Sequence, residues 1–419
     1  MANDNMFYIV GIVYAMVIFG VLLFVLTKYN EKDQRCDVID GWDTANLRAG
    51  KVDLNAAEVI DDGGNYNVPM LLNYNIKTAY NCCAVNTFKN SFVSECALKN
   101  CIKMGARCLD FEIYSVSDKP VIGLSSREAN INMKESFNKV EFGRAMRVVN
   151  NLGWDEPYGD LPMIIHLRMK TKNLPVYNAM AKDIYNAFEG DKHLLDMKWS
   201  WDKFESRTNN MPKLTSETVN DGVLYKDVLS KSSSFDEDTI PITQLHINST
   251  SLKKKVIIIM DVGSLFLGES AEGVSKFTNL LASRRDEDYT TILKYINLIS
   301  PSKFCRTVRD FDVAQNTDAQ NAKSIIENKT KLVFSGPNVQ SSSQNVEREA
   351  HRKLGIQMIG FCFQNYSNGN TDSRIAKYHE WHNMFGALSR KIDDAYTYTM
   401  SSTKAADSGS FMPTIAVTN

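Results

Sequence analysis

Apolar positions fall along this chain in three regimes. From Phe7 to Thr27 (FYIVGIVYAMVIFGVLLFVLT) no position is charged, and as a helix the run rises about 31 Å, the thickness of a bilayer's hydrocarbon core. It reads as an uncleaved transmembrane helix: the preceding MANDNM has Asp4 and no Lys or Arg, where a signal peptide carries a basic segment. Lys28, Lys32, Arg35, Arg48 and Lys51 all follow the run, so the positive-inside rule puts the body in the cytosol and residues 1–6 across the membrane. Asn-x-Ser/Thr triplets at Asn248, Asn328 and Asn365 are a chance yield of an Asn-rich chain and do not change that reading.

Residues 28–75 are mixed polar, with DDGGN at 61–65, and read as a linker. From 76 to 390 short apolar runs alternate with helix-period stretches, the pattern of parallel strands joined by helices. Strands are expected at Ala79–Val85, Cys108–Tyr114, Pro120–Leu124, Met163–Met169, Val256–Met260, Lys331–Phe334 and Ile356–Phe363. Helices are expected on Ala97, Leu98, Cys101 and Ile102, stopped by Gly105, then on Phe142, Met146 and Val149, and on Val176, Met180, Ile184 and Phe188. About seven or eight strands, with no Gly-rich phosphate loop opening a helix, point to a (β/α)8 TIM-like barrel rather than a doubly wound sheet. Residues 391–419 are Ser/Thr/Ala-rich and read as a tail that docks on a surface or a partner.

Charge and composition narrow the chemistry. Lys and Arg total 48 against 49 Asp and Glu, a net charge of −1, which removes the electrostatic case for a nucleic-acid partner. Eight cysteines (36, 82, 83, 96, 101, 108, 305 and 362) are too sparse for a disulfide framework, and none forms C-x-x-C. They are expected to be packing thiols on a reducing face. Six histidines begin only at His166, so nothing before it can supply an imidazole. His166 alternates with apolar neighbours in MIIHLRM and is expected as a hydrogen-bonded core residue. His379 and His382 in HEWH lack zinc spacing and a third ligand. Lys253–Lys255 reads as a solvated strand entry, with contact to anionic lipid the alternative. No cofactor is expected.

Three stretches together resemble the catalytic barrel of phosphoinositide-specific phospholipase C. CCAVNTF (82–88) is similar to the first-strand motif, ALKNCIKMGARCLDFEIYSVSDKPVIG (97–123) to the helix and acidic strand that follow, and KLVFSGPNVQSSSQNVEREAHRKLGIQMIGFCFQN (331–365) to the second half of the barrel. The resemblance covers roughly 76–390. It implies in-line attack on a phosphodiester by a histidine base and a histidine acid, with Ca²⁺ held by carboxylates and an Asn. Here the two histidine positions fall on Val85 and Leu124. Asn86, Asp110 and Glu112 match three metal ligands, with the acidic types interchanged, and a fourth falls on Arg168, a cation in place of a ligand. The phosphate-reading lysines fall on Ile259 and Asp261, and an arginine on Leu332. A charge pair of Asp110 and Glu112 with Arg168 is therefore expected instead of a metal site.

A degenerate member of this family is the implied class, with no catalytic residue and no metal. Such barrels also occur in large double-stranded DNA viruses, and the resemblance implies a tether between a membrane and a protein assembly, most specifically a minor capsid protein joining an inner virion membrane to a capsid. The expected partners are the bilayer, through Phe7 to Thr27, and other structural proteins. Two alternatives stand beside it: an active phosphodiesterase using a rearranged site of Asp110, Glu112, His166 and Arg168, and a non-catalytic lipid-headgroup module.

Overall fold

The strand Val256–Asp261, which opens on four β-branched residues, is buried along its whole length, as a strand covered on both faces must be. It is one of eight parallel strands in a computed structural model that describes residues 2–40, 59–60, 66–67, 71–127, 131–155, 159–203, 242, 251–266, 272–283, 289–302, 304–310, 331–338, 344–346, 348–365 and 385–387. In chain order they are β1 (Tyr74–Ala79), β2 (Cys108–Val116), β3 (Met163–Met169), β4 (Val256–Asp261), β5 (Leu298–Ser300), β6 (Cys305–Arg309), β7 (Leu332–Gly336) and β8 (Met358–Phe361). Each pairs with its sequence neighbour, and β8 pairs with β1, so the sheet curls into a barrel. Only β5 and β6 are not laddered together. Their seam is held by Ser300 Oγ and Thr307 Oγ1, 3.1 Å apart.

Outside the barrel lie α2 (Glu95–Lys103), α3 (Phe142–Leu152), α4 (Leu174–Phe188), α5 (Glu272–Leu281) and the short α6 (Arg348–Lys353). Helix α2 starts where Ser94 Oγ accepts the Cys96 N–H at 3.2 Å, and ends before Gly105, whose φ of 84° is the left-handed turn that glycine adopts without strain. Helices α3 and α4 bury the apolar faces built on Phe142, Met146 and Val149 and on Val176, Met180 and Ile184. These are the faces that the sequence periodicity marks.

Helix α1 (Ala2–Asp40) precedes the barrel, with no buried residue in its most apolar window, whose mean hydropathy is 3.0. It is long and apolar enough to cross a membrane. It also runs on through residues expected to be linker. Beyond Thr27 it lies against the barrel: Tyr29 meets Phe92 with ring centroids 5.3 Å apart, and Cys36 is disulfide-bonded to Cys96. That bond corrects the expectation that all cysteines are packing thiols. A search for local cysteine spacing misses it because the partners are 60 residues apart in sequence and are joined only by the packing of α1 on α2. Cys82, Cys83, Cys101, Cys108, Cys305 and Cys362 are free and buried, as packing thiols.

Other boundaries also move. The first strand ends at Ala79 and not at Val85, because Asn81 takes a φ of 46° and turns the chain out of the sheet. The Lys119–Gly123 strand pairs antiparallel with β2 through a turn at Ser117 and Asp118, both with positive φ, and stands outside the parallel set. Strands β5 and β6 are additions, too short and too mixed in polarity to read from their pattern. The tail 391–419, and His379 and His382, lie outside the described residues, as do Asn248 and Asn328.

Candidate functional site

Side chains alternate across a strand, so Asp110, Glu112 and Tyr114 of β2 share one face, as do His166 and Arg168 of β3. The register sets Asp110 beside His166 and Glu112 beside Arg168, with Arg168 in turn beside Asp261 of β4. All four of Asp110, Glu112, His166 and Arg168 are buried in the barrel. Arg168 donates from Nε to Asp110 Oδ1 at 2.9 Å, from Nη2 to Asp110 Oδ2 at 2.8 Å and to Asn81 Oδ1 at 2.7 Å, and from Nη1 to Glu112 Oε1 at 2.8 Å. Its guanidinium carbon sits 4.4 Å above the Tyr80 ring. Tyr114 donates its hydroxyl to the other Glu112 oxygen at 2.7 Å.

The electrostatics follow from that packing. Burial by itself would raise the Asp110 carboxyl, but the charge of Arg168 and the hydrogen bonds of His166 and Arg168 outweigh it and hold the carboxyl well below the usual range. Burial would likewise make Arg168 less basic, and the charges of Asp110 and Glu112 reverse this and hold it above its ordinary value. Burial pushes the Tyr80 and Tyr114 phenols up, so each stays protonated.

His166 completes the interior. Its Nδ1 lies 2.8 Å from Asp110 Oδ1 and its Nε2 3.3 Å from Thr307 Oγ1, while the ring stacks on Phe334 at 4.0 Å. Asp110, His166 and Thr307 thus form a hydrogen-bonded relay of the type used to activate a hydroxyl nucleophile. The imidazole has no exposed surface, however, and Phe334 closes its face.

Of the Asp110 and Glu112 oxygens that would hold a calcium ion in the resemblance, three accept N–H bonds from one guanidinium and the fourth accepts the Tyr114 hydroxyl. A divalent cation takes six to eight oxygen ligands and is repelled by a fixed cation, so this set does not fit one. Among the described residues no group of three or more His, Cys, Asp or Glu converges as a metal site. The amide oxygen in the cluster comes from Asn81, not Asn86. Asn86 and Val85 line a separate cavity against α1, and Leu124 is buried beyond the Lys119–Gly123 strand, its carbonyl accepting the Glu135 N–H at 2.7 Å. Ile259 and Leu332 are core residues, while Asp261 caps the Gly263 N–H at 2.9 Å. Lys253 and Lys254 pair with Asp160, and Lys255 donates to the Leu194 carbonyl.

Tyr80, Asn81, Thr307 and Phe334 are site residues that the sequence reading missed. The first two were legible only with the strand end placed at Ala79; the others come from strands far along the chain.

The fold is a nearly closed parallel barrel of the phospholipase C type, preceded by one helix apolar enough to span a membrane. Solved structures similar to it include phospholipase C PLC21 of S. officinalis, 14% identical with a TM-score of 0.51 over 79% of this chain, and PLC21 of L. pealei, 14% identical with a TM-score of 0.50 over 80%. The match takes in 39% and 40% of those chains, so this chain spans about two fifths of their length. No family model and no curated protein matches it.

Proposed function

We propose that this chain is a membrane-anchored barrel of the phospholipase C type that no longer hydrolyses phosphodiesters and serves as a structural tether between a membrane and a protein assembly. The observation that carries the reading is Arg168: its guanidinium occupies the carboxylates of Asp110 and Glu112. Val85 and Leu124, apolar where the resemblance puts proton-transfer histidines, support it further. General acid and base groups are each worth about 10²–10⁴ in rate, so their joint loss removes most of that chemistry.

In the proposal α1 spans the bilayer through Phe7 to Thr27 and the barrel packs against its emerging end. The specific form of the tether is a minor capsid protein that joins an inner virion membrane to a capsid. The basic flank after Thr27 favours a cytosolic body. The Cys36–Cys96 bond weighs the other way, since such bonds persist mainly in oxidising compartments. A density map of the protein in its native assembly tests the tether: barrel density bridging a membrane and a protein shell supports it, and a protein confined to host membranes without assembly contacts overturns it.

A second reading is favoured by the Asp110–His166–Thr307 relay, an active hydrolase with a rearranged site. Phosphodiester turnover by the wild-type chain that is lost in a folded Thr307→Ala variant supports the hydrolase, and no turnover by the wild-type chain supports the tether.

A further inference from the structure

Helix α1 leaves the apolar run at Thr27 carrying Lys28, Lys32 and Arg35, spaced by four and three residues and so stacked on one helical face. Phe24 sits one turn earlier on that face and its ring meets Phe137 with centroids 6.5 Å apart, while Phe92 packs on Phe137 at 5.2 Å. The Cys36–Cys96 bond ties the far end of the same stretch to α2. Between these contacts α1 and the loop after β1 border a partly open cavity of about 200 Å³. Lys28, Lys32 and Arg35 line one wall, and Asn86, Thr87 and Asn90 bring amides and a hydroxyl to the other.

The depth of the cavity follows from helix geometry. At about 1.5 Å per residue, Lys28, Lys32 and Arg35 lie roughly 2, 8 and 12 Å beyond Thr27. The headgroup layer on each side of a bilayer is about 5–8 Å thick, so Lys28 and Lys32 stand where lipid phosphates are. Met133 and Phe137 are exposed on the neighbouring loop, as expected for a surface turned toward the bilayer. The volume is below the roughly 300 Å³ of a site for a drug-sized molecule and suits one phosphate group with its immediate linkage. Asp33, 3.6 Å from Lys32, is largely exposed, so solvent screens that pair.

We infer that this cavity binds a phosphate group at the membrane surface, as carried by an anionic phospholipid headgroup. The site is distinct from the Arg168 cluster, and a third of its lining comes from a helix outside the barrel. It rests on the proposed membrane-spanning role of α1.

The test is native mass spectrometry of the full chain purified in detergent, with phosphatidic acid, phosphatidylcholine or inorganic phosphate added. The wild type retains one phosphatidic acid and not phosphatidylcholine. The triple variant Lys28→Gln, Lys32→Gln, Arg35→Gln binds it on the order of a hundredfold more weakly, at about tenfold or less per neutralised cation, and Arg35→Gln alone gives a partial loss. A Lys253→Gln, Lys254→Gln control is unchanged. Equal retention of the two lipids, or no loss in the triple variant with its Cys36–Cys96 bond formed, overturns the site. Retention of inorganic phosphate without retention of phosphatidic acid overturns the lipid as its occupant. Alkaline carbonate extraction of membranes reports separately on α1: extraction of the wild-type chain refutes the membrane span, whereas a membrane-retained triple variant that has lost the lipid isolates the cavity.

Discussion

Arg168 grips Asp110 with two parallel bonds, Nε to Oδ1 at 2.9 Å and Nη2 to Oδ2 at 2.8 Å, and neither side chain has any exposed surface. A bidentate pair in a low-dielectric interior is among the strongest directional contacts available to a protein. It also makes each partner dependent on the other, because a buried charge without its counter-ion is costly.

Removing Arg168 therefore destabilises the barrel. Arg168→Met leaves Asp110 and Glu112 buried with unmatched charge and is expected to cost about 3–5 kcal/mol, read as a large fall in the urea midpoint of the full chain in detergent. Adding Asp110→Asn and Glu112→Gln recovers part of that loss. Simple additivity of the three changes would show that the network is not coupled.

Acid weakens the fold through the same carboxyl. The Asp110 pKa in the folded state is below its ordinary value of 3.8, so its contribution is fully present above that value and is lost as the pH falls below it. Thermal midpoints measured downward from neutral pH should drop through the acid range, and Asp110→Asn should flatten that drop while lowering stability at neutral pH. An unchanged pH profile in the variant would contradict the assignment.

Lys77 acts in the same direction in a higher pH window. It is buried in β1, and burial lowers its pKa from 10.5 to about 7. In that range the unfolded chain holds the proton that the folded chain lacks, so stability rises as the pH climbs from about 7 to about 10.5. Lys77→Met removes this rise.

Gly336 makes room for the ring that covers Arg168. A Cβ there would lie 2.8 Å from both Tyr80 Cε2 and Arg309 Nη1. Arg309 can swing aside, but Tyr80 is held between Arg168 and Phe334. Gly336→Ala is expected to cost about 1–3 kcal/mol, seen as a lower thermal midpoint.

Thiol counting checks the contact between α1 and the barrel. Denatured, unreduced protein should take six labels, one for each free cysteine, and eight after reduction. Closing a 60-residue separation is worth roughly 4 kcal/mol in the chain-entropy model, so Cys96→Ser should also lower the denaturation midpoint.

The pairing of Asp110 and Glu112 with Arg168 was legible in the sequence because strand alternation fixes which residues share a face, and the two strands are successive. The helices around Leu98, Met146 and Met180 were legible for the same reason of period. Asn81 was not, because one residue with positive φ moved the strand end forward and carried the motif containing Asn86 into a loop. Cys36 and Cys96 meet only through the docking of α1, and Thr307 and Phe334 only through barrel closure. Such contacts depend on the tertiary path of the chain, on which local pattern is silent.

The most direct measurement is turnover of phosphatidylinositol and of glycerophosphodiesters by the purified full chain, with and without Ca²⁺. No hydrolysis above the uncatalysed background, in either condition, is the result expected of a barrel whose carboxylates are held by Arg168. Calcium-dependent turnover that disappears in Asp110→Asn would contradict it.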